Sequence, residues 1–346
     1  MPARRFARTA FAGMVLWCAL LFVPLASGDG VYDLVSRLVL LAVLVVVPLL
    51  LETACDLWGN DARPMRWASR AALPAALLAA AAFLAPTGPW AGALTLGWAA
   101  FSALVAWEGV RRLVGLWREG GARGLWRRAE ETAIALGLAA LPGGAAWLSL
   151  SRAGLDPGPY GDLIVLLTAI HFHYAAVVVP VWAGYLGRSL RRWWPGALGA
   201  FRVATAAALL GTPLVALGIA LSRTPAGGTA PEALGVAFLC GGAVGLGALA
   251  LGLAPRLEDR WGGLMVGVSG GALALAMGLA VWFHFGDALG TGAPDVAWMV
   301  PRHGWLNGIG FALWGALAWR RLRPRAAVSG AVGHGDPRTV ATSPEA

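Results

Sequence analysis

The chain has 346 residues, of which 58% are hydrophobic and only 13% are charged, and its formal net charge is +9. Soluble domains carry about 25% charged residues, so this composition excludes a soluble protein and predicts an integral membrane protein. The basic excess does not indicate nucleic-acid binding, because every basic residue is an arginine and their placement follows a membrane topology.

A helix needs about 20 mostly apolar residues to cross a bilayer. Ten runs of the chain approach this length, and glycine- and proline-rich stretches separate several of them. Their approximate ranges are 11–27, 34–54, 71–86, 90–110, 131–150, 162–187, 201–221, 232–254, 263–285 and 299–319. The sequence therefore predicts an all-α fold, a polytopic transmembrane bundle of about ten helices over residues 1–325. A disordered cytoplasmic tail is expected at 326–346.

The first apolar run also fits a different interpretation. It follows three arginines and ends near Ala26-Ser27-Gly28, as a secretory signal with a small-residue cleavage site would. We favour an uncleaved helix, because a second apolar run follows within a few residues. Cleavage would leave nine helices and would not change the orientation of the rest.

The arginines indicate the orientation of the bundle. When Arg202 is counted at the membrane edge, 23 of the 27 arginines fall in alternate segments. These segments are 1–10, 55–70, 111–130, 188–200, 255–262 and 320–346. The segments between them hold only Arg37, Arg152, Arg223 and Arg302. The positive-inside rule therefore predicts a multi-pass protein of the inner membrane with both termini in the cytoplasm.

The sixth apolar run carries the most unusual polar residues for a membrane helix. His171, His173 and Tyr174 lie in its middle, and Thr168 precedes His171 by one turn. Ionisable groups inside a bilayer are costly and indicate a functional site. Residues two apart on a helix point about 200° apart, so the two imidazoles need partners on different helices and cannot bind one metal ion together. Pro180 predicts a kink just below the pair.

The ninth and tenth runs add further polar groups on the same side of the membrane. His303 and Asn307 are one turn apart, and Gly304 and Gly308 would let another helix approach that surface. His284 ends the ninth run, so a short loop separates it from the tenth. Four of the five histidines therefore lie in the outer half of the last five helices.

Acidic residues lie near the inner ends of the second and fourth runs. Glu52 and Asp56 are one turn apart at the end of the second run. Glu108 precedes Arg111 and Arg112 at helical charge-pairing distance. We therefore expect a local ion pair at Glu108 and the inner end of a solute path at Glu52 and Asp56.

Two short motifs, AIHFHYAA at 169–176 and HGWLNGIGF at 303–311, together resemble the YndJ-like family of bacterial membrane proteins. The segment LETACD at 51–56 is compatible with that family. The resemblance implies a polytopic inner-membrane protein of a family sometimes labelled as transporters. It implies no particular substrate.

The His-Phe-His-Tyr string at 171–174 is also similar to the main subunit of haem–copper oxidases, in which two such histidines ligate different haems. The adjacent His-His pair, the His-Pro-Glu element and the histidine in helix two of that family are absent from this sequence, which argues against a proton-pumping oxidase. A simpler haem- or metal-binding redox protein or sensor remains open, with His171, His173, His284 and His303 as its ligands.

Our leading hypothesis is a transporter or permease-like protein that moves a small solute or ion across the bilayer. Histidine suits such a site because it titrates near neutral pH and can couple transport to protons. We expect no catalytic residues and no cofactor, and a structural or assembly factor is a third possibility. The predicted substrate- or proton-binding residues are His171, His173, Tyr174, His303 and Asn307, with Thr168, His284, Glu52 and Asp56 as secondary candidates.

Overall fold

A computed structural model describes residues 2–26, 28, 30–58, 63–158, 160–221 and 228–323, and for residues 56–58 it describes only the backbone. This part of the chain is helical and contains no β-strand. The predicted tail at 326–346 lies outside these residues.

Ten helices account for the described residues, and each matches one predicted apolar run. They are α1 (Pro2–Leu20), α2 (31–58), α3 (Arg63–Leu84), α4 (Pro89–Arg127, with a break at Gly120 and Gly121), α5 (Ala129–Ala153), α6 (Asp162–Trp193), α7 (Leu198–Leu221), α8 (Thr229–Leu253), α9 (Arg260–Phe285) and α10 (296–322). The all-α polytopic bundle is thus confirmed. Eight helices, α2 to α9, are long and apolar enough to cross a membrane, and the more polar α1 and α10 fall outside that set.

Helices α2, α6 and α10 each contain a π segment, at Ala42–Val46, Phe172–Val178 and Leu306–Leu313. In two of them a proline, Pro48 or Pro180, follows the π segment by two residues. Proline has no N–H, and its ring clashes with the carbonyl group four residues earlier, so a wider turn before it relieves the clash. The irregularity expected at Pro180 is therefore a widened turn.

Helix α2 is the most deeply buried of the candidate membrane spans. Each residue from 38 to 46 exposes 1% of its surface or less. The helix contacts α1, α3, α6 and α10. Because this part of α2 is buried on all sides, it needs no polar face, and its sequence is apolar at every position.

Helix α1 lies against α2 at very short range. A Cβ atom added at Gly13 would collide with the carbonyl group of Leu44 in α2. Phe6 is fully buried on the same side of α1, whereas Arg4 and Arg5 are exposed. The amphipathic pattern extends the helix to Pro2, nine residues before the start of the predicted apolar run.

Helix α6 runs parallel to α2. Near one end, the Tyr174 hydroxyl donates a hydrogen bond to the Leu38 carbonyl oxygen at 2.9 Å. Farther along both helices, the Tyr185 hydroxyl donates to the Leu50 carbonyl oxygen at 2.7 Å. The two contacts advance in the same direction along both helices, so the helices are parallel.

Helix α10 is also parallel to α2. Gly308 lies against Leu38, and Arg320 forms an ion pair with Glu52 at 2.8 Å. Three even-numbered helices therefore run in one direction, as they must when every helix between them crosses the bundle. Their three π segments contact one another in the middle.

Candidate functional site

His171 lies on α6 and His303 on α10, two helices that contact each other through their π segments. His171 is exposed, and its Nδ1 donates to the Leu167 carbonyl oxygen at 2.6 Å. His303 is half-buried, and its Nδ1 donates to the Ala276 carbonyl oxygen of α9 at 3.0 Å. The two imidazoles are close enough to interact electrostatically.

Both of these rings keep one nitrogen available. Among the described residues, neither Nε2 atom of His171 or His303 has a hydrogen-bond partner. Because each Nδ1 carries the donated proton, each Nε2 of the neutral ring presents a lone pair. A nitrogen of this kind can take up a proton.

Thr168 and Asn307 lie one helical turn from the two histidines. The Thr168 hydroxyl donates to the Ile164 carbonyl oxygen at 2.7 Å, and the Asn307 amide donates to the His303 carbonyl oxygen at 2.9 Å. Both side chains are half-buried. Their hydrogen bonds stay within their own helices, and the side-chain oxygens can still accept from a ligand.

His173 has a different environment, on the opposite side of α6. Its ring is fully buried, and its Nδ1 donates to the Ala169 carbonyl oxygen at 2.8 Å. Its Nε2 accepts a hydrogen bond from the Trp98 indole N–H of α4 at 3.0 Å. Only the neutral ring with its proton on Nδ1 can make both bonds, so no nitrogen remains for a metal ion or a haem iron.

Helix α5 leaves room for this part of α6. A Cβ atom at Gly144 would lie 2.8 Å from the His173 ring, and one at Gly143 would lie 2.5 Å from the Phe172 ring. The Gly-Gly pair is therefore needed where the two aromatic rings face α5.

Tyr174 lies where the π segments meet. Its hydroxyl is buried against Leu38 of α2, and a Cβ atom at Gly308 of α10 would lie 3.5 Å from that oxygen. Close by in α10, the Phe311 carbonyl oxygen accepts a hydrogen bond from the Ser269 hydroxyl of α9 at 2.8 Å. Side-chain hydroxyls thus bind carbonyl groups in or beside the irregular turns.

His284 contacts a glutamate of α8 and none of the other histidines in the described part. Its Nδ1 lies 3.7 Å from Glu232 Oε1 of α8. Within the ranges that the structure describes, no group of three or more His, Cys, Asp or Glu residues is arranged to hold a metal ion. Of the four histidines considered as ligands, His171 and His303 are the pair close enough to interact electrostatically.

The other end of α2 carries Glu52, which exposes only 4% of its surface. Its carboxylate pairs with Arg320 of α10 at 2.8 Å. The side chain of Asp56 lies outside the described part. Glu52 therefore joins α2 to α10 at this end of the two helices.

A buried glutamate of α4, Glu108, also forms ion pairs. Glu108 pairs with Arg111 at 2.6 Å and with Arg112 at 2.7 Å, which confirms the predicted local pair.

Two further pairs were not predicted. Glu130 pairs with Arg191 at 2.5 Å, and Glu131 pairs with Arg188 at 2.6 Å, which joins α5 to α6. The sequence feature that could have indicated these ion pairs is the adjacent pair of glutamates at the start of the fifth run.

A family model for YndJ-like proteins matches residues 37–311, more than half of the chain. The chain belongs to the YndJ-like family. The uncharacterized membrane protein YndJ of Bacillus subtilis (strain 168) is 30% identical over 193 residues, which are 56% of this chain and 33% of that protein. The chain therefore spans about a third of the length of that relative. No solved structure matches.

The YndJ-like match confirms the family that the two motifs indicated, and together with the apolar helices it supports a multi-pass membrane location. It contains α6 and the α10 segment with His303 and Asn307.

Proposed function

We propose that this YndJ-like protein is a transporter that moves a small solute or ion, coupled to protons, where α2, α6 and α10 meet. These parallel helices carry the His171–His303 pair toward one end and the Glu52–Arg320 pair toward the other. The mutual contact of their three π segments, between the two pairs, is the observation that carries the proposal. Single π turns occur often at functional sites, because they interrupt the regular helical hydrogen bonding.

The proposed roles of the polar residues follow from their contacts. The unpaired Nε2 atoms of His171 and His303 form the proton- or cation-binding site, and imidazole suits this role because it titrates near neutral pH. Asn307 and Thr168 supply oxygen ligands beside that site. Tyr174 holds α6 against α2, and His173, whose ring nitrogens are both bound, positions α6 against α4.

We also propose that the protein lies in the inner membrane with both termini in the cytoplasm. The support is the alternation of the arginines, with 23 of 27 in alternate segments. The parallel direction of α2, α6 and α10 agrees with a crossing by every helix between them.

The transport proposal is tested in proteoliposomes that contain a pH-sensitive dye. A panel of inorganic ions and small organic solutes is added outside, and solute-dependent proton movement is measured. We expect His171→Ala and His303→Ala each to lower the initial rate at least tenfold, because each removes one of the two bases. His284→Ala is the matched control and should keep the wild-type rate. Full activity in both test variants, or no solute response in the wild type, would overturn the proposal.

Access of water to the site can be tested without knowing the substrate. In a background without Cys18, Cys55 and Cys240, we expect His303→Cys to react with a water-soluble thiol reagent. Trp305→Cys is the control at the same depth, since Trp305 is 39% exposed on the outside of the bundle, where lipid would cover it. Equal protection of the two cysteines would contradict a hydrated path.

A further inference from the structure

A cleft with a volume of about 240 Å³ opens at the arginine-rich end of the bundle. It lies between the end of α6, the link from α8 to α9 and the end of α10. Four arginines line it: Arg188, Arg192, Arg321 and Arg323. Sites for drug-sized ligands span roughly 300–1,000 Å³, so this cleft suits a smaller group.

The carboxylates of the cleft only partly balance this charge. Asp259 is bound to Arg321 at 2.5 Å and accepts the Gly262 N–H at 3.1 Å. The Arg321 guanidinium and the Gly262 N–H hold the pKa of the Asp259 carboxyl below its usual range, so it remains ionised and paired. Glu258 is exposed at the rim. Four cationic and two anionic side chains leave the lining positive.

Two of the arginines have guanidinium N–H groups that remain available to a ligand. The Arg188 side chain is buried and binds Glu131 through Nε and Nη2, whereas its buried Nη1 has no hydrogen-bond partner among the described residues. Leaving a charged buried donor unpaired is costly, which indicates that an acceptor belongs there. Arg192 has no ion-pair partner within the described ranges. Its guanidinium carbon, Cζ, lies 4.6 Å from the centroid of the Trp193 ring.

We propose that this cleft binds a phosphate group, carried by an anionic phospholipid headgroup or by a soluble phosphate ester. Guanidinium groups bind phosphate oxygens through paired, charge-assisted hydrogen bonds. Basic pockets between transmembrane helices on the cytoplasmic side recognise anionic headgroups. Trp193 lines the cleft, and tryptophan concentrates at the level of the headgroups. This site is separate from the His171–His303 pair and does not depend on transport.

Binding is measured with the full-length protein purified in a neutral detergent. In one arm, phosphatidylglycerol is compared with diacylglycerol, which has the same acyl chains and no phosphate, by native mass spectrometry. In the other, inorganic phosphate and glycerol 3-phosphate are compared with chloride at equal ionic strength by thermal unfolding. We expect selective binding or stabilisation by a phosphate probe in at least one arm.

Variants then locate the site. Arg192→Gln should weaken binding about tenfold, because it removes one charge-assisted hydrogen bond to the phosphate. Glu258→Gln should strengthen binding several-fold, because it removes a repelling carboxylate. Arg118→Gln removes the same charge from an exposed position on α4 and should bind as the wild type does.

The outcomes separate the two sources of phosphate. Stoichiometric binding of phosphatidylglycerol, with no response to glycerol 3-phosphate, identifies a lipid site. The reverse pattern identifies a soluble phosphate ester. The proposal is overturned when neither probe exceeds its control, or when Arg192→Gln and Arg118→Gln bind equally well while Glu258→Gln has no effect.

Discussion

At the scale of single residues, the two histidines of α6 differ in what their rings can still bind. The i, i+2 spacing correctly predicts that the two rings lie on opposite faces of α6. The expected partner on another helix is found for His173, whereas the hydrogen bond of His171 in the described part stays within its own helix, to Leu167. The spacing does not reveal that His173 uses both ring nitrogens, because its partner Trp98 lies 75 residues away in a helix whose neighbours the sequence does not specify. The fifth-run Gly143-Gly144 pair marks where a bulky ring approaches, although nothing local indicates which ring.

The Trp98–His173 bond predicts a specific pattern of stability. His173→Leu leaves the buried Trp98 N–H without an acceptor, which we expect to cost about 1–3 kcal/mol. Trp98→Phe removes that donor, so the double variant should be less destabilised than the sum of the single variants. Thermal unfolding in detergent measures all four proteins of the cycle. Simple additivity would show that the two rings do not interact.

At the scale of helices, small residues decide how closely two helices approach. We expect Gly13→Ala to destabilise the protein by about 1–3 kcal/mol, because the new methyl group meets the Leu44 carbonyl group of α2. Gly278→Ala is the control, since no atom lies within 4 Å of a Cβ there, and alanine can stabilise an exposed helix by up to about 1 kcal/mol. Unfolding midpoints that fall equally for both variants would contradict this close contact.

The sequence predicts the number and order of the helices well, because each apolar run must bury its backbone polar groups in a helix. It does not predict the π segments, since a run such as 38–47 is apolar at every position and has no periodicity to disturb. Pro48 and Pro180 are the only local signals, and proline alone does not distinguish a kink from a widened turn. The ion pairs that Glu130 and Glu131 form with α6 are not predicted either, because they depend on which helices pack against each other.

At the scale of the whole molecule, the direction of the bundle can be tested by labelling. In the background without native cysteines, we expect Leu289→Cys, in the exposed loop between α9 and α10, to react with an impermeant maleimide in intact cells. Glu258→Cys, in the link between α8 and α9, should react only after the membrane is permeabilised. The opposite pattern would reverse the proposed orientation.

The few arginines predicted outside have structural partners that explain why they are tolerated there. Each of the three in the described part binds backbone carbonyl groups: Arg37 that of Leu20, Arg152 those of Ala82 and Ala85, and Arg302 that of Trp298. Arg223 lies outside the described residues. These three arginines are therefore bound by the protein itself, which is compatible with their position on the arginine-poor side of the bundle.

A π turn contains one residue more than the α turn it replaces, as the bond from the Val47 N–H to the Ala42 carbonyl oxygen shows in α2. The widened turn absorbs the rotation of about 100° that one extra residue would otherwise add, so deleting a single residue within 42–46 would restore an ordinary turn without rotating the following part of the helix. Glu52 should still face Arg320 in such a variant, whereas a deletion at 49–51, in the regular part of the helix, would turn Glu52 away. This helix should therefore tolerate the loss of one residue at its π segment and not beyond it.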